Sequence, residues 1–125
     1  FVYCNHTEKR SINLKRLKKI AISAMKQSQK ALLPKINEVI LFKDFLSNCK
    51  NENKLLAHMN KGKLNKLVDL APIEDTCIVI GPEGDFSSKE VDLAKEHDFK
   101  LVGLGKYRLR SETAAVVACT LLNNE

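Results

Sequence analysis

The sequence predicts an α/β domain built on a mainly parallel sheet with flanking helices, and three observations predict it. Apolar runs of strand character alternate with segments of helical periodicity along the whole chain. The clearest run, Thr76-Cys77-Ile78-Val79-Ile80, shows no polar alternation, as expected of a central parallel strand covered on both faces. Two of the runs end at glycine turns, and four of the five glycines, Gly81, Gly84, Gly103 and Gly105, fall in or just before those turns. In open parallel sheets ligands bind beyond the carboxyl ends of strands, so the two turns mark the expected site.

Taken in order, Phe1-Val2-Tyr3-Cys4 favours a strand over 1–4, an abrupt start for a domain. From about Asn13 to Ser28 the residues Leu14, Leu17, Ala21, Ala24 and Met25 recur at helical spacing, while Lys15, Arg16, Lys18, Lys19 and Lys26 fall opposite. A basic amphipathic helix packed on a sheet is expected, because the stripe lacks the aromatic anchors of a membrane-surface helix. Pro34 stops any helix, a strand is expected over 36–41, and a short helix over 42–49. A buried strand is expected over 54–59, then a loop with one helical turn up to Pro72. After the 76–80 strand, Ser87-Ser88-Lys89-Glu90 has the pattern of a capping box opening a helix to about His97. A last strand is expected over 99–104. Ser111 or Thr113 is positioned to cap a final helix whose Ala114-to-Ala118 run is apolar on nearly every side, and so is expected to be buried.

At 125 residues the chain suits one domain with a real core, and its 44% hydrophobic and 29% charged content fits a globular protein. No apolar run is long enough to cross a bilayer and the first residues lack a signal-peptide pattern, so a soluble, cytoplasmic protein without membrane partners is expected. Cys4, Cys49, Cys77 and Cys119 form no CxxC pair, and His6, His58 and His97 have no ligand spacing, so no metal is expected. Cys77 and Cys119 lie among aliphatic residues and read as core fillers. The net charge of +6 is uneven: residues 1–70 hold 15 Lys and Arg against 5 acidic residues, residues 71–125 hold 6 against 10. The basic part reads either as a surface for a polyanion such as RNA or as a solvated lysine-rich face.

The first turn, Gly81-Pro82-Glu83-Gly84, is neither a Walker loop, which needs a lysine and a hydroxyl residue after its last glycine, nor a GxGxxG turn. Pro82 fixes one torsion, the glycines leave backbone groups open to a ligand, and Glu83 is either an acid held at the mouth of the sheet or a surface carboxylate. In the second, Arg108 and Arg110 flank Leu109 and lead into a helix start with Glu112, a setting that favours anions. An internal Arg–Glu pair pinning the loop is the competing reading.

Together these residues carry a resemblance. Glu8-x-Arg10-Ser11, Ala24-x-x-Gln27-Ser28, Pro34-x-Ile36, the Gly81-to-Ser87 turn, Leu104-Gly105 and Leu109-Arg110-x-Glu112-Thr113-Ala114 resemble, in order along the chain, the RsmE family of the SPOUT superfamily. These are ribosomal RNA small-subunit methyltransferases acting on N3 of a uridine in 16S rRNA. Asp85 stands where the family usually has a further glycine, and Tyr107 where it usually has arginine, with Arg108 one place later. The resemblance implies a C-terminal trefoil knot whose loops bind S-adenosylmethionine, and a homodimer packed through the knot region. It implies cofactor contacts at Met59, Ile80, Gly81, Pro82, Glu83, Gly84, Leu104, Gly105, Leu109 and Thr113. Lys9, Arg10, Lys15, Lys19 and Arg108 would meet the phosphates of 16S rRNA in the small ribosomal subunit. Arg110 would act on the substrate side, with Glu83 or Glu112 accepting the N3 proton or positioning a neighbour. It also implies that a first strand and helix, and a PUA-like RNA-binding domain, belong before residue 1. The competing function is a non-catalytic RNA-binding or ribosome-assembly module that has lost turnover.

Overall fold

The computed structural model of the chain describes residues 1–7, 13–29, 33–58, 65–70, 74–105 and 108–123. The elements run β1 (Val2–Tyr3), α1 (Leu14–Gln27), β2 (Ile40–Leu41), α2 (Phe42–Asn48), β3 (Asn53–Ala57), β4 (Asn65–Lys66), α3 (Leu67–Leu70), β5 (Thr76–Ile80), α4 (Ser88–Glu96), β6 (Lys100–Gly103) and α5 (Ser111–Leu122). The main sheet has the order β4-β6-β3-β5, and β1 pairs with β2 in a second, two-stranded sheet. All recorded pairings are parallel, as the unalternating Thr76–Ile80 run predicts.

Why β3 is central is visible in its side chains. Successive residues of a strand point to opposite faces, and Leu55 and Leu56 are both buried. Leu56 joins Phe42, Leu46, Val79, Phe86, Val91, Ala94 and Phe99 beneath α2 and α4, where the Phe42 and Phe86 rings lie 5.4 Å apart. Leu55 joins Leu67, Val102 and Ala118 on the face covered by α3 and α5. The register sets Ala57 beside Ile80 of β5 and beside Val102 of β6, so the three strands end level. Both glycine turns therefore leave the same edge of the sheet, with the end of β3 between them.

The expected capping box is present: Ser87 Oγ accepts from the Glu90 amide at 3.2 Å, and Glu90 Oε1 accepts from the Ser87 amide at 2.9 Å. Other expectations need correction. The expected strands over 1–4 and 36–41 shrink to two residues each, and the 54–59 strand stops at Ala57, with Met59 outside the described residues. The helical turn expected before Pro72 is α3, but Asn65–Lys66 ahead of it pairs with Val102–Gly103 as an edge strand. A polar two-residue strand leaves no apolar run to read.

The helix α1 forms as expected, with Asn13 Oδ1 accepting from the Arg16 amide at 3.1 Å, yet none of its residues is buried. The two-residue strands β1 and β2 offer too little surface to cover it. The final helix is not buried on all sides either: Ala114 and Ala118 face inward, while Val116 is 67% exposed. Neither expected residue caps it; Arg110 occupies the N-cap without a side-chain bond. Cys77 is half-buried, but Cys119 is exposed and fills no core.

Candidate functional site

The first turn leaves β5 at Gly81. Pro82 C=O accepts from the Asp85 amide at 2.8 Å, closing a tight turn in which Asp85 has φ 62. That left-handed conformation is one aspartate tolerates better than most residues. Its Oδ1 accepts from the Phe86 amide at 2.8 Å, which directs the Phe86 ring into the core.

The glycines do different jobs. A Cβ on Gly81 would come within 2.9 Å of the Phe86 ring, and one on Gly84 within 2.8 Å of His6 Cβ. Packing beneath the turn excludes side chains there. Gly105 differs: its φ is +154 and, among the described residues, a Cβ there would meet nothing within 4 Å.

Two contacts join the second turn to the first. Ser111 Oγ donates to the Gly81 carbonyl at 2.6 Å, and Arg108 Nη2 donates to the Glu83 carbonyl. The competing Arg–Glu pairing is thereby replaced by arginine to backbone. The residues after β1 brace the turn from the other side. His6 Nδ1 lies 2.9 Å from the Gly84 carbonyl and 3.0 Å from that of Asp85, so it must carry the proton it donates. Asn5 Nδ2 donates to Ser87 Oγ at 3.0 Å, and the Asn5 amide donates to buried Glu90 Oε2 at 3.1 Å.

Of the residues singled out from sequence, Ile80, Gly81, Pro82, Leu104 and Leu109 are half-buried around the turns. Glu83, Gly84, Gly105, Arg108, Arg110, Glu112 and Thr113 are exposed around them. Among the described residues no ion pair joins Arg110 to Glu83 or Glu112. Lys15 and Lys19 stand exposed on α1, and no recorded hydrogen bond or ion pair ties them to the turns. Met59, Lys9 and Arg10 lie outside the described residues.

Sequence reasoning passed over His6, Asn5 and His58. Only Glu90 had a signal, as a helix cap, and its second oxygen holding the end of β1 is a long-range contact that no local pattern encodes.

Two of the four thiols, Cys4 and Cys77, are held protonated. Burial first, then the nearby negative charge of Glu90, pushes the Cys4 thiol up to about 12. Burial first, then a hydrogen bond with Cys49, pushes the Cys77 thiol up to about 12. Neither supplies thiolate at neutral pH. Among the described residues no cluster of three or more His, Cys, Asp or Glu could hold a metal ion, and no helix is long and apolar enough to cross a membrane. The arrangement brings together exposed backbone at the two turns, two exposed arginines and, among the described residues, open space at Gly105.

Comparisons with known proteins agree with this geometry. The family model for an RNA methyltransferase domain matches residues 1–123. The ribosomal RNA small subunit methyltransferase E of Mesomycoplasma hyopneumoniae (strain 232) is 40% identical over 107 residues, covering 86% of this chain and 47% of that protein. A crystal structure described as a probable rRNA-methyltransferase from Porphyromonas gingivalis superposes with a TM-score of 0.87 at 40% identity, covering 96% of this chain and 52% of that one. The ribosomal RNA small subunit methyltransferase E from Neisseria gonorrhoeae, bound to S-adenosyl methionine, superposes with a TM-score of 0.78 at 30% identity, over 95% of this chain and 52% of that one. The chain thus spans about half the length of the curated relatives it matches.

Proposed function

The chain belongs to the RNA methyltransferase domain family, and from that membership we propose that it transfers a methyl group from S-adenosylmethionine to N3 of a uridine in 16S ribosomal RNA. The observation that carries the proposal is the pairing of the two turns: Ser111 to Gly81 and Arg108 to Glu83 hold them around the open backbone at Gly105. Among the described residues nothing fills the space a side chain on Gly105 would take, which leaves room there for a ligand. Ile80 to Gly84, Leu104, Gly105, Leu109, Thr113 and Met59 would hold the cofactor.

Bound there, S-adenosylmethionine supplies an electrophilic methyl group. The residues of the chain have the other tasks. Uridine N3 reacts only once its proton has left, so positive charge beside the uracil favours the anion. Arg110, exposed at the start of α5, is the group for that side, and Glu83 or Glu112 receives the proton or positions a neighbour. Lys15 and Lys19, with Lys9 and Arg10, meet RNA phosphates of the small subunit in the cytoplasm.

The same reading includes a trefoil knot and a homodimer. The strand order supports the knot, because β6 enters between β3 and β4 after both are laid down. Exposed Val116 on α5 and Val68 on the adjoining α3 support a second copy packing there. It includes as well a first strand and helix, and a PUA-like domain, ahead of residue 1. Supporting this, the edges of β1 and β5, unpaired among the described residues, border an apolar groove of about 560 Å³, lined in part by Val2, Val39, Phe45, Ile78 and Ile80.

Two measurements test the proposal. Titration calorimetry should detect S-adenosylhomocysteine binding to the chain, weakened at least about tenfold by Gly105→Val, which adds a β-branched side chain at positive φ. Small subunits from cells lacking the modification should gain a methyl group at a uridine N3 when incubated with the chain joined to its upstream half. Binding without transfer in that longer protein would point to a non-catalytic module; no binding at millimolar ligand by either form would defeat the proposal.

A further inference from the structure

The end of β3 lies between the strands that feed both turns, and the residue there is His58. Its amide donates to the Val102 carbonyl at 3.1 Å, which fixes it to β6 one residue before that strand ends. Its ring faces the other way along the sheet edge: Nδ1 lies 3.1 Å from Asp85 Oδ2, with the two side chains only 16% and 24% exposed. The Nδ1 atom is itself fully buried and the contact is not aligned as a hydrogen bond, so the attraction is one of charge and dipole. Facing a carboxylate oxygen at this distance, Nδ1 is the ring nitrogen that is favoured to carry the proton.

Asp85 has reason to be more than a turn residue. Glycine would adopt φ 62 without strain, whereas aspartate does so at some cost, and the first turn already closes through backbone atoms from Pro82 to Asp85. What aspartate adds is a carboxylate that, among the described residues, is engaged on both oxygens. One oxygen orders Phe86 at the root of the turn and the other reaches across to β3.

We propose that His58 and Asp85 form a positioning pair that holds the first turn in register with the second, and thereby sets the affinity of the pocket between them for its nucleoside ligand. The proposal rests on the methyltransferase reading for the identity of that ligand. His58 acts through Asp85 and the turn; it is a positioning residue, not a catalytic one.

S-adenosylhomocysteine is the probe, with its dissociation constant measured by calorimetry and the melting temperature followed in parallel. Asp85→Gly relieves the backbone but removes the acceptor of the Phe86 amide, so its melting temperature should stay within a few degrees of the parent's, while its affinity falls about fivefold or more. His58→Leu should lose a similar factor. His58→Asn keeps an N–H near the Nδ1 position and should hold affinity within about twofold. The double variant His58→Leu/Asp85→Gly should bind no more weakly than the weaker single variant, because each change removes the same contact. Parent-like affinity in Asp85→Gly, additive losses in the double variant, or failure of His58→Asn to restore binding would each overturn the pair. Failure of the parent chain to bind at all would instead strike at the methyltransferase reading.

Discussion

The two ends of this chain solve different problems. The main sheet, with α4 and α5, is packed on both faces and presents two turns cross-tied by Ser111, Arg108 and the residues after β1. The segment carrying α1 has no buried residue in its longest helix and leaves Ile20 54% exposed, yet it bears a dense run of lysines. A small ligand recognised by backbone groups needs atoms held to fractions of an ångström, which dense packing provides. A polyanion recognised by charge needs only a field of the right sign, which a mobile side chain on an exposed helix supplies. Precision and charge are therefore carried by separate parts of the fold.

The sharpest way to break that contrast is to weaken each part equally on paper and compare the outcome. Leu56 is fully buried between α2, α4 and the sheet, so Leu56→Ala should cost about 2–5 kcal/mol in urea unfolding. Ile20→Ala removes a side chain of similar size from α1 and should cost less than about 0.5 kcal/mol, since surface changes rarely exceed that. Similar losses at the two positions would show that α1 is packed in solution.

A smaller effect is expected at the joint between the parts. Glu90 is buried, caps α4 and accepts from the Asn5 amide, so Glu90→Ala removes a cap and leaves a long-range donor unpaired. It should cost about 1–3 kcal/mol. Amide exchange should then rise at Asn5, far along the chain from the substitution. Faster exchange in α4 alone would mean that the tether to β1 adds nothing to the cap.

This division also governs how much was legible in sequence. Local rules found the Thr76–Ile80 strand, the Ser87–Glu90 capping box and both glycine turns, because each is encoded by adjacent residues. The edge strand Asn65–Lys66 was missed because its pairing with Val102–Gly103 is made by a distant segment and its residues are polar. The final helix was overcalled as buried because its outward Val116 has the same apolar character as its inward neighbours, and only the packing of Ala114 and Ala118 distinguishes the faces. The packing demand at Gly81 and Gly84 is illegible in sequence for a related reason. Their glycine identity answers to Phe86 and His6 underneath, and His6 lies 78 residues away from Gly84. At Gly105 the demand is instead local to its own φ of +154.

The gentlest test bears on the charged part alone. Lys15 and Lys19 are one turn apart on α1 and both exposed, with Arg16 and Lys18 beside them. Replacing Lys15 and Lys19 by glutamine removes two positive charges without emptying any core, so the urea midpoint should stay within the error of the parent. RNA affinity, measured on a single-stranded small-subunit rRNA fragment at several salt concentrations, should fall by only a few-fold at 0.15 M salt. The slope of log affinity against log salt should become shallower by about 1.4, two contacts at about 0.7 each. S-adenosylhomocysteine binding should not change, because no described contact joins α1 to the turns. An unchanged salt slope would remove α1 from the RNA surface and shift the phosphate contacts toward Arg108 and Arg110 beside the pocket. In that case charge and precision would share one site, and the separation argued from packing would fail.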